Sequence, residues 1–225
     1  MKDFVTIGLP SKGRLKDKAI SFFNDRGHKI LQSEKERNYF GTIEHKPNVK
    51  IIFLHAKEII QRLGDGTIDI GISGLDLLKE SEKNLRDKIS IQKKLDFGNA
   101  NLVVAVPDDW IDVQTIADLE EISFDIRFKR NSRLRVATKY PNLTNDFLIS
   151  KGVTQYKLIP SLGATETYPF IGSSEIITDI TSTGKTLADN NLRALKDGLI
   201  LSSNACLFTA KKKTAKLQPF LKSLV

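Results

Sequence analysis

Apolar residues along the chain fall into short continuous runs, separated by longer stretches in which they recur at helical spacing. Phe4 to Leu9 is the first such run and reads as a buried strand. Leu15, Ala19, Phe22 and Phe23 follow at intervals of three and four, and Gly27 supplies a stop, so the opening predicts strand, loop and helix in turn. Val49 to Leu54 predicts a second strand and Ala56 to Leu63 a short helix. Thr67 to Ser73 predicts a third strand ending at Gly74, from which Leu75, Leu77 and Leu78 start another helix. Leu102 to Val106, closed by Pro107, then Leu134 to Thr138, Gln155 to Ile159 and Glu175 to Ile180 predict further strands with helical stretches between them. After Thr186 come a short helix, a strand near Leu199 to Ser202, and a terminal amphipathic segment carrying Leu217, Phe220, Leu221 and Leu224.

This alternation is the pattern of an α/β protein with mostly parallel sheet. It divides into two α/β lobes with a central cleft, residues 1–94 with 187–225 forming one lobe and residues 95–186 the other. Loops fall at strand C-termini, the edge at which open α/β sheets bind ligands.

Composition narrows the class. The chain has 225 residues, 40% hydrophobic, with only 14 Gly and 7 Pro, which excludes disordered and collagenous chains. A single cysteine, Cys206, excludes an intramolecular disulfide framework and any zinc site needing two thiolates. No apolar run approaches the roughly 20 residues that span a bilayer, and the charged N-terminus forms no signal-peptide core. No membrane association and a cytoplasmic location are the expectation.

The formal charge of +8 is local. Arg127, Lys129, Arg130, Arg133, Arg135 and Lys139 crowd one acid-free stretch, and lysines 211, 212, 213, 216 and 222 crowd another. Outside these two segments 24 bases face 27 acids, a slightly acidic body.

The stretch Glu175 to Leu187, EIITDITSTGKTL, carries the most chemistry. An apolar strand runs into Thr181, Ser182, Thr183, Gly184, Lys185 and Thr186, and a helix follows. Hydroxyls, backbone N–H groups and a glycine that permits close approach make an anion cradle. It is not a Walker A loop, because that motif needs glycine five residues before Gly184 and Asp179 stands there. A carboxylate suits the hydroxyls of a sugar whose 5-phosphate lies in the adjoining loop. The same hydroxyls would also serve to cap backbone amides.

An acidic strand end followed by Thr-x-Thr-Gly-x-Thr resembles the phosphoribosyl-diphosphate (PRPP) loop of phosphoribosyltransferases. Before it, in order, come LPSKGRL (Leu9 to Leu15), the Asp69 to Gly74 strand end with Asp76, FGNANLVVAVP (Phe97 to Pro107) and RVATKYPNLT (Arg135 to Thr144). Together these resemble the ATP phosphoribosyltransferase family of histidine biosynthesis over about residues 4–210. The resemblance implies a fold like that of type II periplasmic binding proteins. It also implies that ATP and PRPP meet between the lobes, that Mg2+ is required and held mainly through substrate phosphates, and that diphosphate is released. The chain is similar to the short form of the family, whose catalytic subunit pairs with a histidyl-tRNA-synthetase-like regulatory subunit. A homodimer within a hetero-oligomer is the expected assembly.

In the implied reaction N1 of the adenine of ATP attacks C1 of PRPP, giving N1-(5-phosphoribosyl)-ATP. The nucleophile belongs to the substrate, so catalysis consists of positioning and charge stabilisation. Thr181, Ser182, Thr183, Gly184, Lys185 and Thr186 are expected to hold the 5-phosphate and Asp179 the ribose hydroxyls. Lys12 and Arg14, with Gly13 between them, are candidates for the diphosphate and the ATP phosphates, and Ser73, Gly74 and Asp76 for the nucleotide side. Asp179, Lys12 and Arg14 form the catalytic set.

Blander readings stand beside these. Lys12 and Arg14 would suit a solvated helix start, although two cations near a helix N-terminus oppose its dipole and favour an anionic ligand. Asp76 suits a helix start for the same dipole, Glu166 reaches the site or caps a short helix, and Cys206 is expected in the core. His28, His45 and His55 lack ligand spacing, and His55 stands where the family pattern leads one to expect arginine. Part of the basic stretch is expected on nucleotide phosphates and the remainder on a solvated face. The lysine-rich tail is a solvated helix or a docking segment. Two rival functions remain: a non-catalytic small-molecule-binding module on the same fold, and a nucleic-acid-binding protein using the basic stretches. The interpretation adopted is the enzymatic one, without nucleic acid.

Overall fold

The computed structural model describes residues 4–32 and 39–224, with the backbone alone at 213–216. The chain divides into two compact units, Met1–Gly98 with Asn204–Val225, and Asn99–Ser203.

In the first unit β1 (Val5–Pro10) leads into α1 (Gly13–Asn24), which buries Ala19, Phe22 and Phe23. Two short strands follow, β2 (Ile30–Gln32) and β3 (Phe40–Ile43), then β4 (Lys46–Leu54), α2 (Ala56–Gly64), β5 (Ile70–Gly74), α3 (Leu75–Glu80), α4 (Lys83–Arg86) and β6 (Ile89–Lys94). The second unit runs β7 (Ala100–Pro107), α5 (Ile116–Arg130), β8 (Leu134–Thr138), α6 (Pro141–Ser150), β9 (Tyr156–Pro160), β10 (Ile176–Thr181), α7 (Lys185–Ala188) and β11 (Leu192–Ser203). The chain then returns to the first unit with β12 (Ala205–Ala210) and α8 (Thr214–Lys222).

The first sheet has the order β2-β3-β4-β1-β5-β12-β6 and the second β11-β7-β10-β8-β9. β1 pairs in parallel with both β4 and β5, which explains why its sequence is a nearly unbroken apolar run: a central parallel strand is covered on both faces. Ile7, Leu9, Ile51, Phe53 and Leu207 pack with Phe22 and Phe23 of α1 and Leu217 and Leu221 of α8. Ile59, Ile60 and Leu63 of α2 pack with Leu75, Leu78 and Phe208 in a separate cluster. In the second unit Val104, Val106, Val136 and Ile176 pack against Ile116, Leu119 and Ile126 of α5 and Leu148 of α6.

The expectation of mostly parallel sheet is corrected, because both sheets are mixed. β12 runs antiparallel between β5 and β6, and β7 antiparallel between β10 and β11. Strand direction is set by pairing between distant segments, and the strand and helix alternation does not reveal it. The lobe boundaries also differ from those read in the sequence. The first passage lies after Gly98 and not after residue 94, and the return lies after Ser203 and not after residue 186. The reason is β11, whose Leu192 to Ser203 pairs with Pro107 to Ala100 and buries Leu192 and Leu195 in the second unit.

The C-terminal helix of the first unit is clasped by two contacts from the turn after α1. Arg26 Nε donates to Leu224 O at 2.8 Å, and His28 Nε2 lies 2.8 Å from Ser223 Oγ. Lys213, Lys216 and Val225 of the lysine-rich tail lie outside the residues whose side chains are described. Among the described residues no helix is long and apolar enough to cross a membrane.

Candidate active site

β8 and β10 are parallel, with Ile176 opposite Val136 and Thr178 opposite Thr138, so their C-terminal ends reach one edge of the second sheet. There β10 presents Asp179 and β8 hands over to Lys139, whose Nζ stands 4.0 Å from Asp179 Oδ2. The carboxylate is only 14% exposed. Its Oδ1 accepts from the N–H of Ile180 at 2.8 Å. Burial pushes the Asp179 carboxyl above the ordinary carboxylate range, against the pull of the Ile180 N–H and of Lys139. The negative charge of Glu166 pushes it further up, and the Thr165 hydroxyl draws it back.

Beneath this carboxylate three buried hydroxyls close on one another. Thr144 Oγ1 lies 2.6 Å from Thr178 Oγ1 and 3.2 Å from Thr138 Oγ1, and Thr178 Oγ1 lies 2.6 Å from Thr138 Oγ1. Thr138 Oγ1 also accepts from the N–H of Tyr140 at 2.9 Å. The cluster ties β8, β10 and the first turn of α6 together, so the backbone bearing Lys139 and Asp179 is held by satisfied polar groups.

The loop after Asp179 turns sharply. Gly184 has φ of +76° and a Cβ there would meet no atom within 4 Å, so glycine is required by the backbone angle and not by crowding. Thr181 Oγ1 accepts from Gly184 N at 2.8 Å and Thr183 Oγ1 from Lys185 N at 3.4 Å. These hydroxyls therefore cap amides, and each keeps its own proton to donate to an anion. Ser182, Thr183, Lys185 and Thr186 are exposed, and Thr181 and Gly184 are half-buried.

The first unit gathers the remaining predicted residues. β1, β4 and β5 are mutually parallel and end at Pro10, Leu54 and Gly74 on one edge. Lys12, Gly13 and Arg14 follow β1 and are exposed, with Lys12 as the N-cap of α1 and Gly13 at φ +71°. Ser73 is fully buried and its Oγ donates to Ala56 O at 2.8 Å, which commits that hydroxyl to holding α2 on β5. Asp76 is buried in the first turn of α3, with its carboxylate folded back over Gly74, where any Cβ would collide with Oδ1. His55 is exposed and caps α2, its Nδ1 accepting from Lys57 N.

The basic stretch proves divided. Lys139 alone of its six cations follows β8 at the Asp179 edge. Arg127, Lys129 and Arg130 occupy the last turn of α5, and Arg133 and Arg135 lie at the opposite end of β8. Arg135 is committed to Glu175: Nη2 and Nε donate to Oε1 at 2.6 and 3.0 Å, and the Arg135 N–H donates to Oε2 at 2.7 Å. Burial would raise the Glu175 carboxyl, but these bonds outweigh it and hold the group below its ordinary range. Sequence reasoning placed Asp179 and its loop but did not pair Lys139 with that carboxylate, and it missed Thr165 and the threonine cluster. The available signal was the position of Lys139 immediately after a buried strand, the same logic that picks out Asp179.

Cys206 lies in the core between Ser73 and Lys94, and burial pushes its thiol up to about 11, so it is an inert packing residue. Among the described residues no group of three or more His, Cys, Asp and Glu is placed to hold a metal ion.

By fold the chain is a two-unit α/β protein of the type II periplasmic-binding-protein class. Solved amino-acid-binding proteins share that architecture, for example the P235GK mutant of ArgBP from T. maritima, with a TM-score of 0.56 and 14% identity over 99% of this chain and 87% of that one. A chain of the ATP phosphoribosyl transferase (HisG:HisZ) complex from Thermotoga maritima is more similar, with a TM-score of 0.74 and 26% identity over 98% of this chain and 96% of that one. The family model of ATP phosphoribosyltransferase, HisG, matches residues 55–225. Curated ATP phosphoribosyltransferases are 45% identical in Brucella melitensis biotype 2 (92% of this chain, 90% of the relative) and 47% identical in Chelativorans sp. strain BNC1 (93% and 91%). The chain belongs to the ATP phosphoribosyltransferase family, the enzymes of the first step of histidine biosynthesis.

Proposed function

We propose that the edge of the second sheet formed by Asp179, Thr181 to Thr186 and Lys139 binds PRPP, and that the chain transfers its phosphoribosyl group to N1 of ATP with release of diphosphate. The observation that carries this is the half-buried Asp179 carboxylate at the strand end, directly followed by the hydroxyl-rich turn whose Gly184 holds φ +76°. Asp179 accepts hydrogen bonds from the ribose hydroxyls. The hydroxyls of Thr181, Ser182, Thr183 and Thr186, with Lys185, hold the 5-phosphate. Lys139 keeps Asp179 ionised against the burial and the Glu166 charge that oppose it.

Lys12 and Arg14 are exposed cations after the first strand, and we assign them to the ATP phosphates and the departing diphosphate. Gly13 lets the chain turn between them. Ser73 and Asp76 then act as the frame of the nucleotide side, since Ser73 Oγ is bonded to Ala56 O and the Asp76 carboxylate covers Gly74. No side chain acts as nucleophile. The contribution of the protein is to orient two polyanions and to supply fixed positive charge where negative charge builds on the leaving group.

Mg2+ fits this edge as a companion of the substrate. It takes one or two carboxylates together with phosphate oxygens, and Asp179 and Glu166 supply an oxygen-only pair whose charges feel each other. When bound, the ion neutralises charge on the diphosphate. The same family likeness supports pairing of the catalytic chain, as a homodimer within a hetero-oligomer, with a HisZ-type, histidyl-tRNA-synthetase-like regulatory subunit, since the Thermotoga maritima relative was solved as a HisG:HisZ complex.

The test mixes the purified chain with ATP, PRPP and Mg2+, with and without such a partner, and follows phosphoribosyl-ATP and diphosphate. Formation of both in equal amounts, lost in Asp179→Ala, is the expected result. No turnover in either mixture would leave the fold with a binding role alone.

A further inference from the structure

The three buried hydroxyls beneath Asp179 form a closed ring in which the protons can be counted. Thr138, Thr144 and Thr178 are 2%, 0% and 0% exposed, so all three are shut off from bulk solvent. Each hydroxyl has one proton to give. Thr178 donates to Thr138 at 2.6 Å. The two remaining contacts, 3.2 Å between Thr138 and Thr144 and 2.6 Å between Thr144 and Thr178, take one proton each when Thr138 donates to Thr144 and Thr144 to Thr178. Thr138 Oγ1 also accepts the N–H of Tyr140 at 2.9 Å, which fills its second lone pair. Every proton of the ring then has an acceptor inside it.

The ring sits on the face of the second sheet that α6 covers, and Asp179 on the other. Ile176 packs in the cluster of Leu148 from α6 while Ile177 packs in that of Leu187, so alternation along β10 puts Thr178 with the first and Asp179 with the second. Thr178 directly precedes Asp179, and Thr138 directly precedes Lys139. From Thr138 the chain crosses to α6 through only Lys139 and Tyr140, and the ring pins that crossing: Tyr140 N–H is bonded to Thr138 Oγ1, and Thr144 N–H to Tyr140 O at 2.9 Å. Thr144 is the one ring member on a helix, so its hydroxyl ties α6 to both strand ends. Without that hydroxyl, Thr138 and Thr178 hold two protons but share one contact, and a buried donor loses its acceptor, which is costly. Relief comes by turning a side chain or shifting a strand end. Those two ends set the 4.0 Å between Lys139 and Asp179.

We propose that Thr144 is a positioning residue of the PRPP site: it touches neither substrate, and its hydroxyl, acting through Thr138 and Thr178, sets where Lys139 and Asp179 stand. This rests on the assignment of PRPP to that edge, and adds to it a residue on the far face of the sheet.

Thr144→Val keeps the shape and removes the hydroxyl, and Thr144→Ser keeps the hydroxyl. Calorimetric titration of PRPP with Mg2+ into each protein reads the effect without turnover, and steady-state kinetics on the same preparations separate KM for PRPP from KM for ATP. In Thr144→Val the dissociation constant and KM for PRPP should rise at least about fivefold with KM for ATP unchanged, and Thr144→Ser should return both to within about twofold of wild type. Thr178→Val removes a different member of the ring and should give the same pattern, which keeps the proposal open to test if Thr144→Val fails to fold. Arg135→Ala breaks an ion pair at the other end of β8 and serves as the control for lost stability; its PRPP affinity should match wild type. Unchanged affinity in the valine variants, a serine variant as weak as the valine one, or an equal loss in Arg135→Ala would overturn the proposal while leaving the PRPP site in place. A wild-type chain that does not bind PRPP would overturn the assignment of the edge, and this proposal with it.

Discussion

The Lys139 ammonium stands 4.0 Å from the Asp179 carboxylate across two neighbouring strand ends, and it is the one positive partner among the groups that set the charge of that carboxylate. Burial and Glu166 favour the protonated form; Lys139 and the bonds from Ile180 and Thr165 favour the ionised form. In the proposed function the ionised form accepts from the ribose hydroxyls, so this balance sets the pH dependence expected of the site.

Asp179→Asn separates function from stability. The carboxyl titrates above its unfolded range, so the stability it contributes is present below the unfolded pKa and lost as pH rises through the folded value. At neutral pH the buried charge opposes folding. The variant should therefore melt higher, by roughly 2–4 °C per kcal/mol gained, while kcat/KM for PRPP falls at least about tenfold, ~1.4 kcal/mol. Calorimetry and steady-state kinetics on one preparation check both, and a lower melting temperature would contradict the stated balance.

Lys139→Met removes the favourable charge and keeps the bulk. The acidic limb of the kcat/KM profile should move to higher pH, because Asp179 then holds its proton longer. A uniform drop in rate with an unmoved limb would make Lys139 a substrate contact instead.

Gly184→Ala places a Cβ on a residue at φ +76°, at a cost of about 1 kcal/mol with no clash to add to it. The loop should shift out of register with the phosphate, raising KM for PRPP more than KM for ATP. Equal effects on both would argue against a phosphate role for the loop.

Arg135→Ala leaves Glu175, which is only 16% exposed, without the guanidinium that holds its carboxyl low. The expected loss is about 2 kcal/mol. The wild-type contribution is present above the unfolded carboxylate range and lost as pH falls through the depressed folded value, so wild type and variant should converge in stability at acid pH. Urea denaturation at neutral and acid pH measures this, and kcat of the folded fraction should remain unchanged, since the pair lies at the end of β8 away from Lys139.

His28 is held below its ordinary value by burial and by the Lys46 charge, against the pull of Ser223. Its contribution is present above the unfolded value of about 6.5 and lost as pH falls through that range, because the unfolded chain then binds the proton more readily. Protection factors of the amides around Leu221 to Leu224, which take out the slower intrinsic exchange at acid pH, should fall below that pH, and His28→Gln should remove that dependence.

The alternation of apolar runs and helical periodicity determined the α/β class, and most strands follow directly: Leu134 to Thr138 forms β8, and Phe4 to Leu9 overlaps β1. The glycine and hydroxyl order of Thr181 to Thr186 likewise determined a sharp hydroxyl-capped turn at Gly184, because local backbone angles and donor spacing depend only on neighbouring residues. Strand direction did not follow. β12 runs antiparallel to β5 and β7 antiparallel to β10, and no local pattern records which distant strand each will meet. Nor did the pairing of cations with carboxylates: Arg135 near the start of β8 and Lys139 just past its end are four residues apart, yet one meets Glu175 and the other Asp179. Which acid each base meets depends on strand register across 40 residues of chain, and only tertiary packing sets that register.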